Sequence, residues 1–306
     1  MLANWRTMTP RARREALEGY LAVSPWIIGF LFFTLGPILA SIYFGFTRWS
    51  ITRPPAWVGF DNYVRMFTRD PLFWQALKVT GTFVLLSLPL KLVCGLALAL
   101  LLNLKVRGMN LYRTLFYIPA VISGVAVSLM WLWLLHPDTG LINTLLNLVG
   151  IEGPGWFWDP NWALPSIAIM SVWSVGGSAI IYLAGLQNIP PHLYEASEID
   201  GAGRWQRFWR ITLPLLTPTL FFQLIIQMIE SFKVFTEAFV ITKGGPLKAT
   251  YFYLLYFYEE AFQNFNMGYA SALALVLTII ILSATVILNY TSKHWVFYEA
   301  EPGATG

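Results

Sequence analysis

Glu195–Pro218, EASEIDGAGRWQRFWRITLPLLTP, is too polar to lie in a membrane, yet runs that belong in one flank it on both sides. Pro190 and Pro191 precede it and suit a helix start, where a missing N–H costs nothing. His192–Ile199 reads as a short helix with Leu193, Ala196 and Ile199 on one side. Asp200-Gly201 is a turn signal, because glycine takes backbone angles that a Cβ disfavours. Trp205–Leu213 reads as a second short helix with Trp205, Phe208 and Trp209 on one side and Arg204, Arg207 and Arg210 among them. Pro214 is expected to end it. Two short helices at a glycine corner, with aromatics in a polar loop, have the form of a segment that sits in another protein's groove.

The flanking runs set the class. Of the 306 residues, 57% are hydrophobic and 12% charged, against about 25% charged in a soluble domain. An all-α polytopic membrane protein is expected. Six transmembrane helices are placed at about 21–46, 79–102, 114–135, 162–186, 218–242 and 267–290, each near the roughly 20 residues that a bilayer needs. Residues 1–20 then form an N-terminal segment and 187–217 the loop holding the quoted stretch. Residues 291–306 form a polar tail whose end, EAEPGATG, is expected to be disordered. The first run is too long for a signal-peptide core, so it reads as an uncleaved span. Trp49, Trp57, Phe60 and Tyr63 in the first loop suit a membrane interface. Eleven basic residues fall on the side of the N-terminus and seven on the other, a bias that favours a cytoplasmic N-terminus. The net charge of +4 does not argue for nucleic acid, and Cys94, the single cysteine, excludes an internal disulfide.

Catalytic constellations are not apparent. No G-x-x-x-x-G-K-[ST] pattern occurs, and Gly244-Gly245-Pro246 lacks its spacing, so ATP hydrolysis by this chain is not expected. His136, His192 and His294 lie far apart, without metal-ligand spacing. No catalytic residue, metal or cofactor is therefore assigned to the chain. The fifth span holds Gln223, Gln227, Glu230 and Ser231 on one helical face, followed by Lys233 and Glu237. Counted from Pro218, Glu230 lies roughly 18 Å in, near the bilayer middle. Polar groups at that depth need partners. Sugar hydroxyls, which lose water on entering, fit such a face; pairing of Glu230, Lys233 and Glu237 among themselves fits it as well. In the fourth span, Trp173, Ser174 and Gly177 offer an aromatic face, a hydroxyl and a gap for a sugar ring; close helix packing through Ser174, Gly176, Gly177 and Ser178 is the other reading. Lys233 is expected to pair with Glu237 toward the outer face, and Lys91 to face a partner helix or to snorkel.

Glu195-Ala196-Ser197, Asp200-Gly201-Ala202, Gln206, Phe208, Ile211, Leu213-Pro214 and Pro218 resemble the EAA motif of ABC-importer permeases, with Ser197 where that pattern has alanine. Phe60-Asp61-Asn62-Tyr63, Arg113-Thr114-Leu115-Phe116, Gly244-Gly245-Pro246 and Gly268-Tyr269-Ala270-Ser271-Ala272 are similar to the carbohydrate branch related to the maltose permeases. The resemblance implies the type I importer permease fold in a bacterial cytoplasmic membrane and sugar import by alternating access. It implies a second EAA permease, usually a different chain, a homodimeric ATP-binding subunit that holds the ATP and Mg, and an extracytoplasmic sugar-binding protein, with lipid around the spans. It also implies a cytoplasmic motif loop in which Glu195, Ala196, Asp200, Gly201 and Ala202 couple to the ATPase, with Trp205, Gln206 and Phe208 in support. The spans flanking that loop line the sugar path in these importers, which bears on Trp173, Ser174, Gly177, Gln223, Gln227, Glu230 and Ser231. A secondary transporter or channel without an ATPase is the alternative; it calls for an ion relay along several spans.

Overall fold

The computed structural model describes residues 9–297. Among the described residues the structure is helical apart from one two-stranded hairpin. Arg6 and the EAEPGATG tail lie outside the described residues. The chain divides into two compact units, one made of the residues up to Met66 with Glu260–Leu277, the other of Phe67–Glu259 with the residues from Thr278 onward.

In the first unit, α1 runs over Pro10–Gly45. Thr9 caps it, its hydroxyl accepting from the Ala12 N–H at 3.3 Å. The ion pairs Arg11–Glu15 and Arg14–Glu18 lie along its polar start. Trp26, Phe32 and Phe33 then expose the kind of apolar surface that a bilayer solvates. The helix has begun by Pro10, so a separate segment ending at residue 20 is not what forms. A π turn at Leu31–Leu35 lets it continue past Pro37. The strands β1 (Thr47–Ser50) and β2 (Arg53–Trp57) pair antiparallel, and α2 (Asp61–Thr68) follows. Asn62 explains the local sequence. Its buried amide donates to the carbonyls of Gly45 and Thr47, each at 2.9 Å, and so satisfies the end of α1. Trp49 stacks on Phe44 at 4.2 Å, and Phe60 and Tyr63 pack on Phe46. Gly268 is required by packing, since a Cβ there would lie 2.1 Å from the Thr47 carbonyl oxygen.

In the second unit, α3 (Pro71–Leu102) is the central helix and begins eight residues before the expected 79. Asp70 caps it by accepting from the N–H groups of Leu72 (2.9 Å) and Phe73 (3.2 Å). The other Asp70 oxygen accepts from the Tyr256 hydroxyl, on a helix at Tyr253–Tyr258. The C-terminal end of α3 is held by Arg113, which donates to the Leu102 carbonyl at 3.1 Å. The third and fourth spans are bent pairs rather than single helices. The helices α4 (Met109–Val121) and α5 (Gly124–Leu134) meet at 97°, and α6 (Ala163–Val172) and α7 (Gly176–Gln187) at 47°. Among the described residues four helices are apolar and long enough to cross a membrane, or six segments when each bent pair counts as one span. Around α3 pack α6, α7 and α9 (Arg204–Phe232), which follows the short α8 (Pro191–Ile199). Tyr182, Leu183, Leu186 and Leu216 form a buried cluster with Ala99 and Leu102.

Two boundaries of the fifth span differ from expectation. Pro214 does not end a helix; a π turn at Phe208–Thr212, closed by the Leu213 N–H on the Phe208 carbonyl, shifts the hydrogen-bond register ahead of the proline and the helix runs on. The helix stops at Phe232 instead of 242, and a separate π turn forms at Ala238–Thr242.

Glycines let the helices meet. A Cβ at Gly176 would lie 1.9 Å from the Phe116 carbonyl oxygen, whereas at Gly81 it would meet nothing within 4 Å. Gly176→Ala is therefore expected to cost about 1–3 kcal/mol of stability. Gly81→Ala should be neutral, or stabilising by about 0.5–1 kcal/mol. Thermal melting of the detergent-solubilised protein checks both, and equal melting temperatures would contradict this packing.

Candidate coupling loop and transport cavity

The loop is built by a short helix and a glycine exit. The α8 helix starts at Pro191 and leaves through Gly201, whose φ is +75°. The Ala202 N–H bonds the Ser197 carbonyl at 2.9 Å and the Gly201 N–H bonds the Glu198 carbonyl at 3.1 Å. This pair of bonds is a Schellman motif, which gives Asp200-Gly201-Ala202 its physical meaning. Ser197 is buried, and its hydroxyl donates to the Tyr194 carbonyl at 2.7 Å, so the hydroxyl in place of a methyl is accommodated. Tyr194 and Thr212 hydrogen-bond through their hydroxyls at 3.0 Å, and Arg207 pairs with Glu198. These contacts tie α8 to the start of α9.

What the loop leaves outside is informative. Glu195, Ala196, Asp200, Gly201, Trp205 and Gln206 are exposed, while Ala202 and Phe208 are half-buried. Trp205 is 73% exposed and stacks on Phe208. Of the helix side formed by Leu193, Ala196 and Ile199, only Leu193 packs inward; Ile199 is 88% exposed. Trp209, half exposed, extends the same apolar surface. Ile199 was legible in the sequence as apolar, but its periodicity pointed to the core.

A cavity of about 390 Å³ lies between α3, α4, α6 with the break that follows it, and the end of α9. Ser174, Gln227 and Glu230 line it, with Lys91, Lys233 and Glu237. Gln227 donates to the Ser178 hydroxyl at 2.6 Å. Lys233 pairs with Glu230 at 3.0 Å, not with Glu237, because the helix ends at Phe232 and Glu237 no longer continues its face. Gln223 and Ser231, expected on the same polar face, are fully buried and do not line the cavity. Ser231 instead contacts the Ser87 hydroxyl at 3.4 Å and accepts from the Lys91 ammonium at 3.3 Å. Lys91 thus turns to a partner helix, as expected, through Ser231 on α9, and it lines the cavity as well.

Trp173 and Ser174 separate. Ser174 lines the polar cavity, while Trp173 faces an apolar one of about 840 Å³ with Cys94, Tyr112 and Trp131. Gly177 borders neither, and a Cβ there would meet Ala120 at 3.5 Å. For Gly176 and Gly177, helix packing is what the geometry displays. The sequence reading missed Lys91, Ser171 and Glu237 as cavity residues; the signal was their ionisable or hydroxyl character within apolar runs.

Comparison with known proteins agrees with this arrangement. Residues 91–295 match the family model described as binding-protein-dependent transport system inner membrane component. The probable ABC transporter permease protein YesP of Bacillus subtilis is 48% identical over 293 residues, covering 94% of each chain. The trehalose/maltose transport system permease protein MalF of Thermococcus litoralis is 34% identical, covering 90% of this chain and 93% of that one. A crystal structure of a bacterial ABC transporter involved in the import of the acidic polysaccharide alginate superposes with a TM-score of 0.80 at 28% identity, covering 92% of this chain and 97% of its own. With a family model spanning most of the chain and a relative nearly half identical along its length, this chain belongs to the binding-protein-dependent transport system inner membrane components, the permeases of ABC transporters.

Proposed function

We propose that this permease is the membrane-spanning subunit of an ATP-driven carbohydrate importer, and that Glu195–Phe208 is its contact with a separate ATP-binding subunit. The observation that carries the coupling role is the exposure of Ile199 and Trp205 on a backbone otherwise held by the Schellman exit and the Tyr194–Thr212 contact. Apolar side chains presented so rigidly fit a groove on a partner. Glu195, Ala196, Asp200, Gly201 and Gln206 are exposed in the same loop, and Phe208 stacks on Trp205. The partners are a homodimeric ATP-binding subunit carrying ATP and Mg, a second EAA permease, and an extracytoplasmic binding protein that delivers the sugar. The chain sits in a bacterial cytoplasmic membrane with the N-terminus and the coupling loop inside. Closure of the ATPase draws the loops together and turns the cavity outward, and hydrolysis resets it.

The carbohydrate assignment is supported by relatives named for trehalose and maltose and for alginate, and by a polar cavity suited to hydroxyl groups. Ser174, Gln227 and Glu230 are the sugar-contacting groups among the sequence candidates. Gln223 and Ser231 hold the helix face behind them. The charged groups gather in one cavity and are not strung along several spans, which is not how an ion relay is laid out.

Two expected outcomes follow from these assignments. Trp205→Ala or Ile199→Asp should weaken association with the ATP-binding subunit by about 2 kcal/mol, roughly thirtyfold, as read by co-purification and titration, while the permease itself inserts normally. Gly201→Val should have the same effect through the left-handed backbone it cannot adopt without strain. Unchanged association in all three variants would remove the loop from the interface. Ser174→Ala with Gln227→Ala should cut saccharide uptake at least tenfold in cells producing normal amounts of assembled complex; original uptake would place the sugar path elsewhere.

A further inference from the structure

The cavity holds two charges that its own residues leave incompletely matched. Lys91 on α3 donates to the Ser231 hydroxyl at 3.3 Å and has the Phe83 ring at 5.8 Å, with no carboxylate within 4.0 Å among the described residues. Glu237 lines the same cavity, also with no cation within 4.0 Å. Glu237 and Glu230 are the carboxylates that line the cavity with Lys91, but Glu230 is occupied by Lys233 at 3.0 Å. One ammonium and one carboxylate therefore share a cavity of about 390 Å³ without touching.

The chemistry of the pair is specific. An ammonium has three N–H donors and no acceptor, and a carboxylate only accepts. Lys91 spends one donor on Ser231, and none of the described side chains bonds the Glu237 carboxylate. Such groups inside a membrane protein are costly to leave without partners. A saccharide hydroxyl both donates and accepts. Two neighbouring hydroxyls can thus accept from the ammonium and donate to the carboxylate at once, through hydrogen bonds strengthened by charge. Lys91 stands on α3 and Glu237 follows the break after Phe232, so a ligand joining them would join two separate elements.

We propose that Lys91 and Glu237 together bind one diol edge of the transported saccharide, Lys91 donating to one hydroxyl and Glu237 accepting from its neighbour. This rests on the reading of the cavity as the saccharide path. Ser231, fully buried behind Lys91, is a positioning residue that orients the ammonium.

The test uses the importer assembled with its partner subunits in membrane vesicles. Cys94, the single cysteine, is replaced by alanine, and Ser171→Cys provides a reporter, since Ser171 lines the cavity while its hydroxyl is spent on the Ala168 carbonyl at 2.6 Å. Labelling of the reporter by methanethiosulfonate ethylsulfonate is timed with and without a mixture of maltose, trehalose and lactose. The mixture is expected to slow labelling about tenfold, as a ligand at roughly ten times its Kd does. Adding Lys91→Gln or Glu237→Gln should reduce that protection, taken as the ratio of labelling rates with and without sugar in the same variant, to less than twofold, while the reporter is still labelled without sugar and the complex still assembles. Full protection in both variants overturns the assignment of Lys91 and Glu237 and leaves the cavity reading intact. No protection even with Lys91 and Glu237 present overturns the cavity reading and this assignment with it. Glu237→Gln, which breaks no contact with the described side chains, keeps the outcome readable if Lys91→Gln fails to assemble.

Discussion

Backbone N–H and C=O groups within a hydrocarbon layer have to be satisfied by the protein itself, and this constraint orders the rest of the structure. It explains why the chain is helical across its apolar runs, and where it is allowed not to be. Irregular backbone at membrane depth is tolerated where it is buried in protein or lines a cavity. Three breaks occur in the second unit, at Ile122-Ser123, at Trp173–Val175 and after Phe232. Their flanking residues border two cavities: Pro119, Trp131, Trp173 and Val175 the apolar one, Ala120, Ser174 and Lys233–Glu237 the polar one. The breaks and the cavities are one feature. Where helices are interrupted, side chains turn away from a common face and space opens between them.

Around those breaks the packing is tight. Gly176 admits the Phe116 carbonyl, Gly185 admits Thr219, and Gly95 faces the Tyr182 ring. In a membrane, where lipid is as apolar as leucine, close approach through small residues supplies much of the contact between helices. The buried cluster around Tyr182 and Leu216 links α3, α7 and α9 on the side nearer the coupling loop. The α9 helix runs without interruption from Arg204 in that loop to Phe232 beside the polar cavity. One helix thus connects the loop to the residues that line the cavity, the path that the proposed coupling would use. The π turn at Phe208–Thr212 makes this continuity possible despite Pro214.

The turn of the motif loop was legible almost residue by residue. Pro191 begins the helix, Gly201 takes the left-handed angle, and the polar residues expected outside are outside. These are local matters: capping, turn chemistry and composition act within a few residues. Ile199 went the other way because periodicity marks an apolar side, not what covers it. The cavity was half legible. A polar face on the fifth span was apparent, but a face of about 100° of helix does not say which edge meets space and which meets a neighbour. Gln227 and Glu230 took the cavity, while Gln223 and Ser231 were covered by packing.

From the sequence alone came the class of protein, the number of crossings, the position of the motif loop and its turn, because hydropathy and backbone preference are written locally. Tertiary structure decided the bends in the third and fourth spans, the end of the fifth at Phe232, the pairing of Lys233 with Glu230, and the meeting of Lys91 with Ser231 across 140 positions of chain. Each of these depends on which helices lie side by side. That proximity arises when small residues and side-chain volumes are fitted together in three dimensions, and no window along the chain contains it.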